Sequence, residues 1–175
     1  MSERLEGTSK HLRYFITLAC YGAHVHGDAA GTVDLRHNVF GSRVVDEDQR
    51  RAEAERSQME QQPYLLTAEA REVVLIAIRE VCVTRGWTML AAHVRSTHVH
   101  VVVEAEARPE IVMRDFKAYA SRKLNQLGND AKDRKRWARH DSTRWLWTDD
   151  DVKKVMEYVV DEQGTTLAAF WRDEW

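Results

Sequence analysis

The chain has 175 residues, of which 43% are hydrophobic and 31% charged, and its net charge is −2. This length predicts one domain, residues 1–175, with a single sizeable core, and the near-neutral charge excludes a general basic field over the surface. No apolar run approaches the roughly 20 residues that a membrane span needs, and the polar residues 1–10 contain no apolar signal core. We therefore expect a cytoplasmic protein with no membrane partner.

The first half of the chain predicts a strand, a long polar segment and a helix. Residues Leu12–Tyr21 are aromatic and β-branched, which favours a strand. Residues 22–62 are polar and contain several glycines, so we expect a long loop or lid there. Thr67 is a suitable N-cap, and apolar residues then recur at helical spacing up to Gly86, which is expected to end the helix.

A β-hairpin and a second helix are predicted next. Residues Trp87–Val94 form one apolar strand, and a tight turn at residues 95–97 leads into a β-branched second strand. Pro109 suits the first turn of a helix, and Gly128 suits the position just after its last turn. We therefore expect the second helix to end close to Leu127.

The C-terminal part predicts one more strand and one more helix. A short strand is expected at Thr143–Trp147. Thr148 followed by three aspartates is typical of a helix start, so the last helix is predicted at Asp149–Gln163. The order of elements indicates an α+β, ferredoxin-like (RRM-like) βαββαβ fold, with an antiparallel sheet and an appended C-terminal helix.

Two histidines alternate with valines in the second strand of the predicted hairpin. Period-2 geometry places His98 and His100 on one face, while Val99, Val101 and Val103 line the other. Two neighbouring imidazoles can supply two ligands to one divalent metal, which needs a third ligand from elsewhere. The alternative is a half-buried strand that carries two histidines with no role in chemistry.

The last helix offers a hydroxyl and polar ligands at matching spacing. Tyr158 and Glu162 lie one turn apart and differ by about 40° in direction, so they share a face, whereas Gln163 points about 140° away from Tyr158 in an ideal helix. A tyrosine beside a carboxylate supplies what the histidine pair lacks, namely a nucleophile and a third hard ligand. The alternative is that Tyr158 is an ordinary boundary residue of an amphipathic helix.

Basic residues are concentrated after the histidine strand. Between residues 108 and 144 there are eleven Lys or Arg and five Asp or Glu. A charge run is usually a solvated face, but this one also suits the binding of phosphates. The candidates are Arg114, Lys117, Arg122, Lys123, Arg134, Lys135, Arg136, Arg139 and Arg144.

Several blocks of the chain, in this order, resemble the single-tyrosine HUH transposases, particularly the REP-associated tyrosine transposases and short insertion-sequence transposases. The likeness extends over nearly the whole length. The blocks that carry it are Tyr14–Thr17 with Tyr21–Gly31, Val94–Val103, Met113–Leu124, Ser142–Trp147 and Glu157–Val160. The histidine motif alone is weak, and the ordered series of blocks is specific.

The resemblance implies a role for each candidate residue. It implies that His98 and His100 bind Mg²⁺ or Mn²⁺, that Tyr158 is the catalytic nucleophile, and that a polar residue just after it completes the metal site. Helical geometry favours Glu162 as that ligand, and Gln163 is kept as the alternative. The implied partner of the basic residues is single-stranded or hairpin DNA. The implied location is the bacterial nucleoid in the cytoplasm. Because some relatives are homodimers, a homodimer is also possible here.

The implied chemistry is DNA cleavage and rejoining without an external energy source. A phenol is a poor nucleophile toward a phosphodiester, so a metal that polarises the phosphate is needed. The expected product is a 5′-phosphotyrosine and a free 3′-hydroxyl. Because this ester retains the energy of the cleaved bond, a second strand can be joined without ATP.

Three alternatives remain open. Tyr119, on the second predicted helix, is another candidate nucleophile, although that helix is basic and suits phosphate binding better. His24 and His26 also form a His-hydrophobic-His triplet, but they lie in the predicted loop. The third alternative is a non-catalytic or domesticated single-stranded nucleic-acid-binding protein with the same fold.

Overall fold

The computed structural model describes residues 12–23, 57–139, 141–161 and 167–173. Most of the predicted loop or lid at 22–62 therefore lies outside the described residues. The elements are β1 (Leu12–Ala19), α1 (Ala68–Arg85), β2 (Thr88–Val94), β3 (His98–Ala105), α2 (Pro109–Leu127), β4 (Ser142–Trp145), α3 (Asp149–Asp161) and β5 (Ala168–Trp171). No helix in these parts of the chain is long and apolar enough to cross a membrane.

The strands form one five-stranded sheet in the order β4-β1-β3-β2-β5, and every neighbouring pair is antiparallel. The first four strands have the order expected of a ferredoxin-like βαββαβ fold, which confirms the predicted α+β class. The fifth strand was not predicted. It is only four residues long, and its pairing with β2 extends the sheet beyond the four-strand core.

Strand β3 lies in the middle of the sheet and separates two hydrophobic cores. Val99, Val101 and Val103 are fully buried in the larger core, which α1 and α2 cover. Val102 is fully buried in the smaller core on the opposite face, which α3 covers. His98 and His100 alternate with the three valines and so lie on the α3 face, as their period-2 spacing predicted.

Helices α1 and α2 begin and end where the sequence predicts. The Thr67 hydroxyl accepts a hydrogen bond from the Ala70 backbone N–H at 3.2 Å, which caps α1. Gly86 and Gly128 follow the two helices with φ angles of 70° and 75°. Because side chains strongly disfavour this left-handed conformation, glycine is the suitable residue at both helix ends.

Helix α3 is capped at its start and packed along one side. The Asp151 N–H donates to the Thr148 hydroxyl at 3.1 Å, and the Thr148 N–H donates back to the Asp151 carboxylate at 3.3 Å. This reciprocal pair satisfies two backbone donors at the helix start. The residues of the helix that are buried against the sheet are Val152, Val155, Met156 and Val159.

We expect Met156→Ala to weaken the attachment of α3 to the sheet. The side chain is fully buried in the smaller core, and its truncation leaves a cavity that typically lowers the free energy of unfolding by about 2–5 kcal/mol. Urea denaturation measures this change. Lys153→Ala, at an exposed position of the same helix, is the control. Equal stability of the two variants would contradict the packing of α3 on the sheet.

Candidate active site

A row of polar side chains crosses the sheet on the α3 face. The strand register places Thr17 of β1 opposite His100 of β3, and His93 of β2 opposite His100 on the other side. Directly paired residues project to the same face of an antiparallel sheet. His93 and His100 lie on the two strands of one hairpin, whereas Thr17 is distant in sequence and only the pairing of β1 with β3 brings it to His100.

The two predicted metal ligands lie side by side, each with a threonine hydroxyl at its Nδ1. The ring centroids of His98 and His100 are 4.6 Å apart. The Thr97 hydroxyl lies 3.0 Å from His98 Nδ1, and the Thr17 hydroxyl lies 2.9 Å from His100 Nδ1. Such hydrogen bonds at one ring nitrogen orient an imidazole for coordination through the other. No local sequence pattern indicates this role for Thr17, because its contact with His100 depends on the register.

Tyr158 lies on α3 beside the histidine pair. Its ring centroid is 6.2 Å from that of His100, and the Phe15 ring packs against both, at 6.1 Å from Tyr158 and 5.4 Å from His100. The tyrosine is half-buried, at the edge of the smaller core. The structure therefore brings the predicted nucleophile and the predicted metal ligands to one place, although they lie on separate elements.

Two of the candidate metal ligands, His98 and His100, are among the described residues. Two adjacent imidazoles fit a divalent ion as two of its ligands. Glu162 and Gln163, the two candidates for the third ligand, lie outside the described residues. Within the described ranges, no group of three or more His, Cys, Asp or Glu side chains is arranged to hold a metal.

The basic residues of α2 lie away from the histidines. This helix packs on the valine face of β3, so Arg114, Arg122 and Lys123 belong to the layer opposite the histidine pair. Arg122 stacks over the ring of Tyr119 at 4.4 Å. Tyr119, the alternative nucleophile, therefore also lies on a helix of the opposite layer. The other alternative, His24 and His26, lies outside the described residues.

The basic residues of the loop after α2 contact other protein groups. Arg136 is buried and donates to the Asp130 carboxylate and the Asn125 side-chain oxygen, both at 2.8 Å. The same carboxylate accepts from the Tyr64 hydroxyl at 2.8 Å, and burial together with this hydrogen bond raises the pKa of Tyr64 to about 12. Arg136 therefore helps to hold the loop against the segment before α1.

Three other predicted DNA contacts are also engaged within the protein. Lys117 forms an ion pair with Asp141 at 2.5 Å. Arg134 donates to the Gln62 and Pro63 carbonyl oxygens, and Lys135 forms an ion pair with Glu60. These contacts tie the basic loop to α2 and to residues 60–63.

Arg144 lies on the histidine face of the sheet, and Arg139 is exposed in the loop before β4. The Ala138 N–H donates to the carbonyl oxygen of Ala19, the residue paired with His98, and exposed Arg139 follows directly. Arg144 is paired with Phe15, so its side chain leaves the sheet on the same face as Thr17 and His100. Arg144 therefore flanks the site on the side of β4.

We expect Arg136→Gln to destabilise the fold. Removing the buried guanidinium leaves the Asp130 carboxylate without its main partner. Breaking such a pair typically lowers the free energy of unfolding by about 3 kcal/mol. Urea denaturation measures the loss. The control is Arg139→Gln at an exposed position, where we expect the free energy of unfolding to change by no more than about 0.5 kcal/mol. Similar stabilities for the two variants would show that Arg136 does not hold the loop.

Comparison with known proteins places the chain in a family. The sequence profile described as "Transposase IS200 like" matches residues 59–163, which is more than half of the chain. A solved structure of a REP-associated tyrosine transposase bound to a REP hairpin matches the fold with a TM-score of 0.53. That match has 13% sequence identity and covers 93% of this chain and 72% of the other. No curated protein sequence matches. The chain belongs to the family of IS200-like transposases.

Proposed function

We propose that this protein is a metal-dependent, transposase-type nuclease and strand transferase. It cleaves and rejoins single-stranded DNA at hairpin-associated sites through a 5′-phosphotyrosine on Tyr158. The observation that carries this proposal is the meeting of Tyr158 on α3 with His100 on β3, with ring centroids 6.2 Å apart. The chain belongs to a family of DNA transposases, and its tyrosine lies beside a histidine pair. Together these two facts support covalent cleavage of DNA by Tyr158.

In the first step, the Tyr158 hydroxyl oxygen attacks the phosphorus of a phosphodiester. A bond forms between that oxygen and phosphorus, and the bond from phosphorus to the 3′-oxygen of the upstream nucleotide breaks. The phenol loses its proton and the departing 3′-oxygen gains one, so the strand leaves with a 3′-hydroxyl. The downstream strand remains attached to Tyr158 through its 5′-phosphate.

The histidines prepare the site for this step. His98 and His100 would hold Mg²⁺ or Mn²⁺ together with Glu162 or Gln163, and the bound ion would polarise the phosphate and stabilise the developing charge. The hydroxyls of Thr97 and Thr17 orient the two imidazoles. Phe15 packs against both His100 and Tyr158 and limits the freedom of the two rings.

In the second step, the 3′-hydroxyl of another strand attacks the phosphotyrosine. The bond between phosphorus and Tyr158 breaks, a new phosphodiester forms, and the tyrosine regains its proton. The number of phosphate ester bonds is unchanged, so no nucleotide cofactor is needed. The same site can therefore cut one junction and seal another.

Hairpin DNA is the partner favoured by the comparison, since the matching transposase was solved with a REP hairpin. Arg144 flanks the site and can bind the phosphates of the strand that enters it, and Arg139 is a further exposed candidate for a phosphate contact. A homodimer stays a prediction.

The direct test uses a pool of DNA strands that carry a hairpin with a randomised stem and a randomised single-stranded tail. Incubation with the protein and Mn²⁺ should give a covalent adduct on a denaturing gel when the label is at the 3′ end. A 5′ label should instead appear on a shorter free strand, because the 5′-phosphate stays on the protein. Binding without any adduct would support the alternative of a non-catalytic DNA-binding protein.

We expect Tyr158→Phe to abolish the covalent adduct. The change removes one hydroxyl from a half-buried ring, so the free energy of unfolding should change by no more than about 1 kcal/mol, whereas no nucleophile remains at this position. The matched control is Tyr119→Phe, which should keep the adduct on the same denaturing gel. Loss of the adduct in the Tyr119 variant and its survival in the Tyr158 variant would reverse the assignment.

We expect His98→Ala and His100→Ala each to abolish cleavage and to weaken Mn²⁺ binding, because each removes one of the two imidazole ligands. Isothermal titration measures the metal affinity and gel analysis the cleavage. Fluorescence anisotropy should show that hairpin DNA still binds.

Chelation of the metal by EDTA should likewise abolish cleavage by the unchanged protein, and added Mg²⁺ or Mn²⁺ should restore it. Cleavage at the original rate in either variant would refute the metal assignment.

A further inference from the structure

His93 is fully buried on β2 and uses both ring nitrogens. Its Nδ1 lies 3.0 Å from the Val159 carbonyl oxygen on α3. The Leu167 backbone N–H donates to its Nε2 at 3.1 Å. Since a carbonyl oxygen can only accept and a backbone N–H can only donate, Nδ1 carries the proton and the ring is neutral. Burial accordingly lowers the pKa of His93.

These two hydrogen bonds join three parts of the protein through one side chain. Val159 lies in the last turn of α3, where helix carbonyls run out of partners within the helix. Leu167 directly precedes β5. The imidazole of His93 therefore binds the chain on both sides of residues 162–166 and ties it to β2, next to His100.

The carbonyl that His93 binds belongs to the residue directly after Tyr158. Apolar packing determines which face of α3 meets the sheet, but it is non-directional and allows small shifts along the helix axis. A hydrogen bond to one carbonyl depends on distance and angle, so it resists such shifts. A nucleophile needs this precision, since a displacement of about 1 Å can cost about a hundredfold in rate.

We propose that His93 is a positioning residue for Tyr158. Its Nδ1–H bond to Val159 fixes the last turn of α3 over the histidine pair, so that the tyrosine hydroxyl stays aligned with the scissile phosphate. This inference rests on the proposed function, in which Tyr158 is the nucleophile. The second bond, from Leu167 to Nε2, attaches the start of β5 and is of less importance for the alignment of the tyrosine.

Two amide substitutions separate the two hydrogen bonds. In His93→Asn, the amide nitrogen can take the place of Nδ1 and donate to Val159, but nothing reaches Leu167. In His93→Gln, the amide oxygen can take the place of Nε2 and accept from Leu167, but the donor to Val159 is lost. Both variants introduce a neutral amide at the same buried position.

The rate of adduct formation distinguishes the variants. The probe is an uncleaved 3′-labelled strand of one hairpin sequence that the unchanged protein cleaves, and it is bound before Mn²⁺ is added. We expect His93→Gln to form adduct at least about tenfold more slowly, because the tyrosine is misaligned. His93→Asn should stay within about threefold of the original rate. Both variants should bind the strand with the original affinity, which anisotropy measures.

Val81→Ala is the control for simple loss of stability. Val81 is fully buried in the core between the sheet and α1, on the face away from α3. At a temperature well below its unfolding transition, this variant should form adduct at the original rate. If His93→Asn and His93→Gln are slowed equally, or if Val81→Ala is slowed as much as His93→Gln, the positioning role is refuted.

Hydrogen exchange provides a readout that does not need activity. The Leu167 amide should be protected in the unchanged protein and in His93→Gln, and should exchange faster in His93→Asn. The backbone amides in the last turn of α3 should exchange faster in His93→Gln than in the unchanged protein. If the unchanged protein forms no adduct, the proposed function fails, while this exchange pattern still tests the attachment. Unchanged exchange in both variants would refute the attachment itself.

Discussion

The packing of α3 on the histidine face of the sheet is the interaction on which the candidate site depends. Val152, Val155, Met156 and Val159 bury one side of this helix against strands that also carry Phe15 and Val102. Tyr158 lies at the boundary of this apolar side, so it is half-buried and faces His100. Without this packing, the tyrosine and the histidines would lie on two unrelated elements.

The register of β3 is the second constraint, and the larger core determines it. Val99, Val101 and Val103 must all face α1 and α2, and a slip of one residue would move all three out of the larger core and turn the histidines into it. The same register pairs His100 with Thr17 and His93. The residues that orient the site are thus placed by the burial of valines on the other side of the sheet.

The positive charge of residues 108–144 serves two purposes in this fold. Arg136 and Lys117 are engaged with Asp130 and Asp141, and so stabilise the loop after α2 rather than present a free basic surface. Arg144 lies on the histidine face of the sheet and Arg139 is exposed. A count of charges along the chain cannot separate these roles, because the carboxylates that neutralise some of the basic residues are assigned only by the folded loop.

The sequence by itself determined the α+β class, the helix ends at Thr67, Gly86 and Gly128, and the common face of His98 and His100, because caps and period-2 alternation are local properties. Only the tertiary structure decided that Tyr158 meets His100, that Thr17 lies beside His100, that His93 bonds to α3, and that a fifth strand pairs with β2. These features arise from strand register and helix packing between elements that are separate in the chain. No short-range pattern encodes such contacts, so they appear only when the two cores form.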